Sequence, residues 1–316
     1  VLFASIALAA LAWFLAWPLP ARLSRATWPA RAPSTALVLW QAIALGGGAS
    51  MIGSLLLFGL TAYGDSPVDA ALALAESTLS GSLPREASIF QIGALSFAVL
   101  LLAHLLLNLL STFARTERQR RRHLDLVALL SDPVPGEPRT RRLDHPAPVA
   151  YCLPGAFRSV TVLSDGLLDL LAPDELQAVL EHERAHLQQQ HALVLLSFRS
   201  WGNALPWFPI AHLAEIAVEA LVEFIADDRA RAVVGGAPLA QAIAVIGSSD
   251  APAIDHHADS PAGDYRVDTR VATARVRRIV ADAPAFDPRA RTAILIGAGL
   301  ILLTPATLLL TLILVA

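Results

Sequence analysis

Four apolar stretches decide what this chain can become: Val1–Trp17, Ala36–Leu60, Ile89–Leu110 and Thr292–Val315. An α-helix rises about 1.5 Å per residue, so roughly 20 apolar residues cross a bilayer. The first stretch is the shortest. It has no basic region before it and no small-residue cleavage site after it, so it is expected to be a retained span rather than a signal peptide. The composition agrees with a membrane protein. Apolar residues make up 55% and charged residues 16% of the chain, and its mean hydropathy is +0.54. A water-soluble domain carries about 25% charged residues.

Arginine placement sets an expected orientation, because basic residues collect on the cytoplasmic side. Arg22, Arg25 and Arg31 follow the first stretch, and Arg115, Arg118, Arg120, Arg121 and Arg122 follow the third. Arg289 and Arg291 precede the fourth. The loop after the second stretch instead carries Asp65, Asp69, Glu76 and Glu86 against Arg85. The expected layout has three spans in residues 1–111, a cytosolic domain over 112–290 and a fourth span in 291–316, with both ends outside. All basic residues are arginine, and with many Ala, Gly and Pro this reads as the product of a GC-rich bacterial genome. The expected location is the cytoplasmic membrane. The net charge of −3 gives no basic field for direct nucleic-acid binding. A single cysteine, Cys152, excludes an internal disulfide and leaves metal binding to His and carboxylates. His104 and Asn108 share one face of the third span, where interhelical hydrogen bonding is the plainest role.

Within 112–290, residues 112–130 are expected to continue the third span as a basic helix, and Asp132–Pro138 to form a turn region. Val149–Leu153 and Ser159–Leu163 flank Pro154-Gly155 and read as a hairpin. Gly166–Leu171 reads as a short helix. A major helix opens at Ala172-Pro173-Asp174-Glu175, where proline suits the first helical position and acids complement the dipole. A second covers Leu213–Val234, and a third starts near Pro238. Ser248–Tyr265 reads as a loop, and Arg266–Val280 as a basic amphipathic helix. The fold class is therefore mainly α, with a small α+β portion beside four spans.

The chemistry sits in His182-Glu183-Arg184-Ala185-His186, an H-E-x-x-H string inside the major helix. Histidines at i and i+4 project from one face and can share one Zn²⁺ at about 2.0–2.1 Å. Glu183 stands beside the metal and can act as general base on a water that the metal acidifies. A catalytic zinc needs a third protein ligand. The second helix offers Glu219, Glu223 and Asp227 at intervals of four. Glu223 is the expected ligand. Asp227, one turn on, is expected to accept from the other nitrogen of a ligand histidine and fix its tautomer. The plain alternative is a solvated acidic face paired with Arg229 and Arg231.

The H-E-x-x-H helix followed by Glu223-Phe224-Ile225-Ala226-Asp227 is similar to the gluzincin pattern. The wider layout resembles the BlaR/MecR family of membrane metallopeptidases, with three spans, a cytosolic zinc peptidase loop and a fourth span. The strand-like Arg158–Ser164 running into Asp165-Gly166-Leu167-Leu168 also resembles the HtpX-like family. The resemblance implies a zincin-type peptidase domain with His182, His186 and Glu223 as ligands to one Zn²⁺, Glu183 as base and Asp227 behind the ligands. It implies regulated endopeptidase action on a protein substrate, either a cytosolic winged-helix repressor or the chain itself. The antibiotic sensors carry a penicillin-binding domain after the fourth span. This chain ends at Ala316, so a signal is expected to enter through spans, loops or a partner. A quality-control protease of the HtpX type is one alternative, and a non-catalytic zinc-binding membrane receptor is another.

Further expectations concern the surroundings. Ser159–Ser164 is the candidate sheet edge for binding substrate as an added strand. His191, Asn203, His212 and Arg229 are candidate oxyanion donors. The apolar run 191–213 cannot cross the membrane once, because His182 and Glu223 share a metal. It is expected to form an interfacial or re-entrant hairpin, or to pack in a core. His123, His145, His256 and His257 are expected at the surface.

Overall fold

The computed structural model describes residues 1–81, 87–134, 137–153, 160–206, 209–248, 269–281 and 285–315. The described chain is mostly helical and divides into two compact units. The first comprises Val1–Leu109, Ser200–Ala217 and Phe286–Ala316; the second comprises Leu110–Arg199 and Val218–Ala285. Among the described residues, four helical segments are long and apolar enough to cross a membrane: Leu2–Leu23, Pro33–Leu60, Ile89–Leu130 and Pro288–Leu308.

In the first unit, helix α1 (Leu2–Ala16) breaks at Trp17 and resumes as α2 (Pro18–Leu23), the break falling where Pro18 and Pro20 follow. Helix α3 (Pro33–Leu60) packs against α1 and against α12 (Pro288–Val315). Small residues let the helices approach closely: a Cβ on Gly46 would lie 2.8 Å from the backbone oxygen of Ile301. The Ser5 hydroxyl donates to the Ser54 carbonyl at 2.9 Å, tying α1 to α3 where both are buried. The loop after α3 contains a helix, α4 (Pro67–Ser80), with Ser66 as its N-cap and Gly81 in the left-handed region (φ 66°) at its end. Helix α5 (Ile89–Leu130) runs on past the apolar stretch as one 42-residue helix.

The run 191–213 is split between two helices, α8 (His191–Ala204) and α9 (Pro209–Val234), rather than forming a span. Its middle packs among the long apolar helices of the first unit. Trp201 lies against Gly48 of α3, and His104 Nε2 of α5 donates to the Ala204 carbonyl at 3.1 Å. His104 therefore serves as helix glue.

In the second unit the described residues hold a four-stranded sheet in the order β1-β2-β4-β3, formed by β1 (Ser131–Val134), β2 (Glu137–Leu143), β3 (Ala150–Leu153) and β4 (Val160–Ser164). β1 and β2 are antiparallel, β2 and β4 parallel, and β3 and β4 antiparallel. Two expectations change here. Asp132–Pro138 is largely strand, because Pro133 lies on the edge strand β1 and Pro138 precedes Thr140, the first residue of β2 paired with β4. The run ending at Ser164 is not an edge, since β4 has neighbours on both sides. Ser159 and the turn Pro154-Gly155 lie outside the described residues, as do His256, His257 and most of Ser248–Tyr265.

Helix α6 (Asp165–Leu170) follows β4 directly, and Ser164 makes the junction. Its buried hydroxyl accepts from Val149 N at 2.8 Å and Leu167 N at 3.2 Å, and donates to Ala147 O at 2.6 Å. The next residue but one must be small: a Cβ on Gly166 would fall 1.9 Å from the Pro146 carbonyl oxygen. Gly166→Ala is therefore expected to lower stability by about 1–3 kcal/mol, as overpacking against backbone does. A thermal denaturation midpoint equal to wild type would contradict this packing. Helices α7 (Pro173–Gln188), α10 (Gly236–Ser248) and α11 (Thr269–Val280) complete the unit. Val179 of α7 shares a core with Leu163, Leu167, Leu171 and Ala242, while Ala178 packs with Ala230, Leu239 and Ile279. The expected surface position of His123 is corrected: its Nε2 is 3.0 Å from the Tyr151 hydroxyl and the rings meet edge to face. His145 is exposed.

Candidate metal centre

Helix α7 delivers the H-E-x-x-H string with its inner face buried. Pro173 occupies the first turn, and the Glu175 carboxylate accepts from Ala172 N at 2.9 Å, satisfying an otherwise orphaned amide. Glu175, Ala178, Val179, His182 and Glu183 are buried, which is the i, i+3, i+4, i+7 spacing of a core-facing stripe. Helix α9 presents Val218, Val222, Ala226 and Ala230 to the core in the same way, which places Glu223 and Asp227 toward α7.

His182, His186 and Glu223 each bring one ligand atom into a group within 4.8 Å. His182 Nε2 and His186 Nε2 are 3.1 Å apart. Glu223 Oε2 is 3.4 Å from His182 Nε2, and its Oε1 is 3.4 Å from His186 Nε2. Ligands at about 2.0–2.1 Å on a tetrahedral metal are separated by roughly 3.3 Å. The two imidazole nitrogens stand near that spacing, and each lies 3.4 Å from a different oxygen of the Glu223 carboxylate, a set of nitrogen and carboxylate donors suited to zinc. Glu183 follows His182 on the same helix and is buried beside it.

Behind these atoms, His182 Nδ1 donates to Asp227 Oδ1 at 3.0 Å. A metal taken up at Nε2 would leave this Nδ1 hydrogen bond in place. Asp227 is fully buried, so the picture of a solvated acidic face on α9 does not hold for this residue. Its partner is neither Arg229, which is exposed, nor Arg231, but Arg275 of α11. Arg275 Nε donates to Asp227 Oδ2 at 2.9 Å and an Nη to Oδ1 at 2.6 Å, while its other Nη reaches Glu223 Oε2 at 2.9 Å. Arg278 holds Asp228 from the same helix at 2.6 Å. Sequence reasoning found the basic helix but not this arginine, whose partners lie 48 and 52 positions away.

The charges balance within the centre. Burial and the Arg275 charge push the His182 imidazole pKa down. The hydrogen bonds to Asp227 and Glu223 outweigh them and raise it to about 9. Burial raises the carboxyls of Glu223 and Asp227, but Arg275 and His182 hold both below the ordinary range. The Arg275 guanidinium is desolvated, yet the two carboxylates keep it charged and raise its pKa. Binding a metal through Nε2 requires His182 to release a proton.

Of the four candidate oxyanion donors, His191 faces His186 and Gln189. It is 2% exposed, its Nδ1 is 3.1 Å from His186 Nδ1, and its Nε2 is 2.8 Å from Gln189 Oε1. Burial lowers its pKa to about 4. The turn before it passes through Gln190 at φ 52°, the one non-glycine residue among those described with positive φ. That conformation costs roughly 1–2 kcal/mol. Asn203 and His212 belong to the other compact unit.

No curated protein and no solved structure matches the chain. A family model does match: residues 114–225, roughly a third of the chain, fit Peptidase family M48. The matched segment begins within α5, holds the sheet and the H-E-x-x-H helix, and ends two residues beyond Glu223, so the similarity to that peptidase family takes in all three candidate ligands and Glu183.

Proposed function

We propose that the chain is a zinc-dependent endopeptidase of the bacterial cytoplasmic membrane, cutting protein substrates on the cytosolic side. The observation that carries this reading is the convergence of His182 Nε2, His186 Nε2 and the Glu223 carboxylate, with the two nitrogens 3.1 Å apart and each 3.4 Å from a different carboxylate oxygen. When bound there, zinc supplies a Lewis acid that polarises the scissile carbonyl and acidifies water. The protein residues do the rest. Asp227 holds His182 in its ligand tautomer. Glu183 takes the proton from the attacking water and passes it to the leaving amine. Strand β3 is at a sheet edge and packs against α7, so an extended substrate can join the sheet there through main-chain hydrogen bonds. The arginine distribution favours a cytosolic active site. A signal-regulated cut in a winged-helix repressor or in the chain itself is the role that the layout of spans and peptidase favours.

Metal content and hydrolysis of a quenched-fluorescence protein substrate, measured on detergent-purified protein, test this reading. Wild type is expected to hold about one zinc, to lose hydrolysis on dialysis against a chelator, and to recover it on adding zinc. Glu223→Ala is expected to lower zinc affinity by at least about 100-fold, since two histidines alone hold the ion weakly. A wild type that binds no stoichiometric metal would exclude the peptidase reading.

A further inference from the structure

We infer that His191 is a positioning residue for the metal centre, which fixes His186 as a ligand through a two-step hydrogen-bond relay. The inference rests on the zinc reading above and goes beyond it. His186 can ligate through Nε2 only if its proton sits on Nδ1, and a half-buried imidazole needs an acceptor to keep it there. His182 has Asp227 for this purpose. At His186 Nδ1 the atom 3.1 Å away is His191 Nδ1.

The direction of the relay follows from its far end. The Gln189 side-chain oxygen can only accept, so at 2.8 Å the proton must be on His191 Nε2. A neutral imidazole protonated at Nε2 has its lone pair on Nδ1. That lone pair faces His186 Nδ1, which then donates and leaves its own Nε2 open toward His182 Nε2 and Glu223. The two rings meet edge to face, 4.9 Å between centroids and 88° between planes, as an in-plane N–H aimed at a ring nitrogen permits.

The backbone is bent to make this contact. Helix α7 ends at Gln188, and the chain turns through Gln189 and the strained Gln190 before α8 begins at His191. A glutamine in the left-handed region is unfavourable unless the surroundings impose it. The turn folds His191 back under the helix it has just left and buries it against His186, five positions earlier.

Chelator competition for Zn²⁺ on the full-length, detergent-purified protein separates a relay from mere filling of space. Asn at 191 can place an oxygen where Nδ1 sits, whereas Leu fills the volume and accepts nothing. His191→Leu is expected to bind zinc about 10–100-fold more weakly, and His191→Asn to stay within about threefold of wild type. Equal zinc affinity for wild type and His191→Leu would overturn the relay. So would an Asn variant as weak as the Leu variant, because packing alone would then explain the loss. If His191→Leu does not elute as a single folded species, His191→Gln replaces it. The longer amide reaches toward Gln189 and offers no acceptor at the Nδ1 position, so the same weakening is expected, and wild-type affinity would overturn the relay. A wild type without zinc would instead remove the metal reading on which the relay depends.

Discussion

Glu183→Gln is expected to keep its zinc and lose nearly all hydrolysis. Glutamine has the same length and shape but cannot take a proton from water. The three ligand atoms belong to other residues, so chelator competition should give an affinity near that of wild type. A positioned general base contributes about 10²–10⁴-fold to rate, so the loss is expected on the order of 10³-fold. Zinc content and initial rates with the same fluorescent substrate check both halves. If Glu183→Gln retains more than about a tenth of wild-type rate, the proton goes elsewhere and Glu183 is not the base.

Asp227→Ala is expected to damage stability and metal binding together. Asp227 is fully buried and accepts two hydrogen bonds from Arg275 and one from His182 Nδ1–H. Removing it leaves a buried guanidinium short of its main partner. Breaking a buried pair from one side costs about 3–5 kcal/mol. Glu223 still reaches Arg275 at 2.9 Å, so the lower part of that range applies. His182 also loses its tautomer lock, which is expected to weaken zinc by about 10–100-fold. Thermal unfolding followed without metal isolates the first effect, and chelator competition measures the second. A variant matching wild type in both would mean that the Asp227 contacts carry no free energy.

Some of this was legible in the residues and some was not, for reasons particular elements make plain. The long apolar helices follow from hydropathy alone, and α5 was readable beyond its span because its arginines keep a helical context. The β3–β4 pair showed through the β-branched Val160, Thr161 and Val162 and the turn signal in the sequence Pro154-Gly155. The β1–β2 pair did not, because Pro133 and Pro138 signal a turn unless the strand order is known, and an edge position is where proline is tolerated. Helix α4 had its signals in Ser66-Pro67 and Asp69, but the acids around it suggested only a loop. The spacing of four brought Glu223 and Asp227 to one helical face, and the string His182–His186 supplied the other side. Arg275 had no such cue. Its side chain reaches the centre through the packing of α11, and no local pattern distinguishes it from Arg277 or Arg278.

The guanidinium of Arg275 has a consequence for the life history of the protein. Many small metal-binding domains collapse without their ion, because nothing else offsets the like charges gathered to hold it. Here Glu223 and the fully buried Asp227 of α9 already face a permanent cation supplied by the chain itself. Synthesis and membrane insertion can therefore run to completion ahead of metal loading. On the zinc-peptidase reading proposed above, the apoprotein would then be folded before it is armed, and metal supply would set when it cuts.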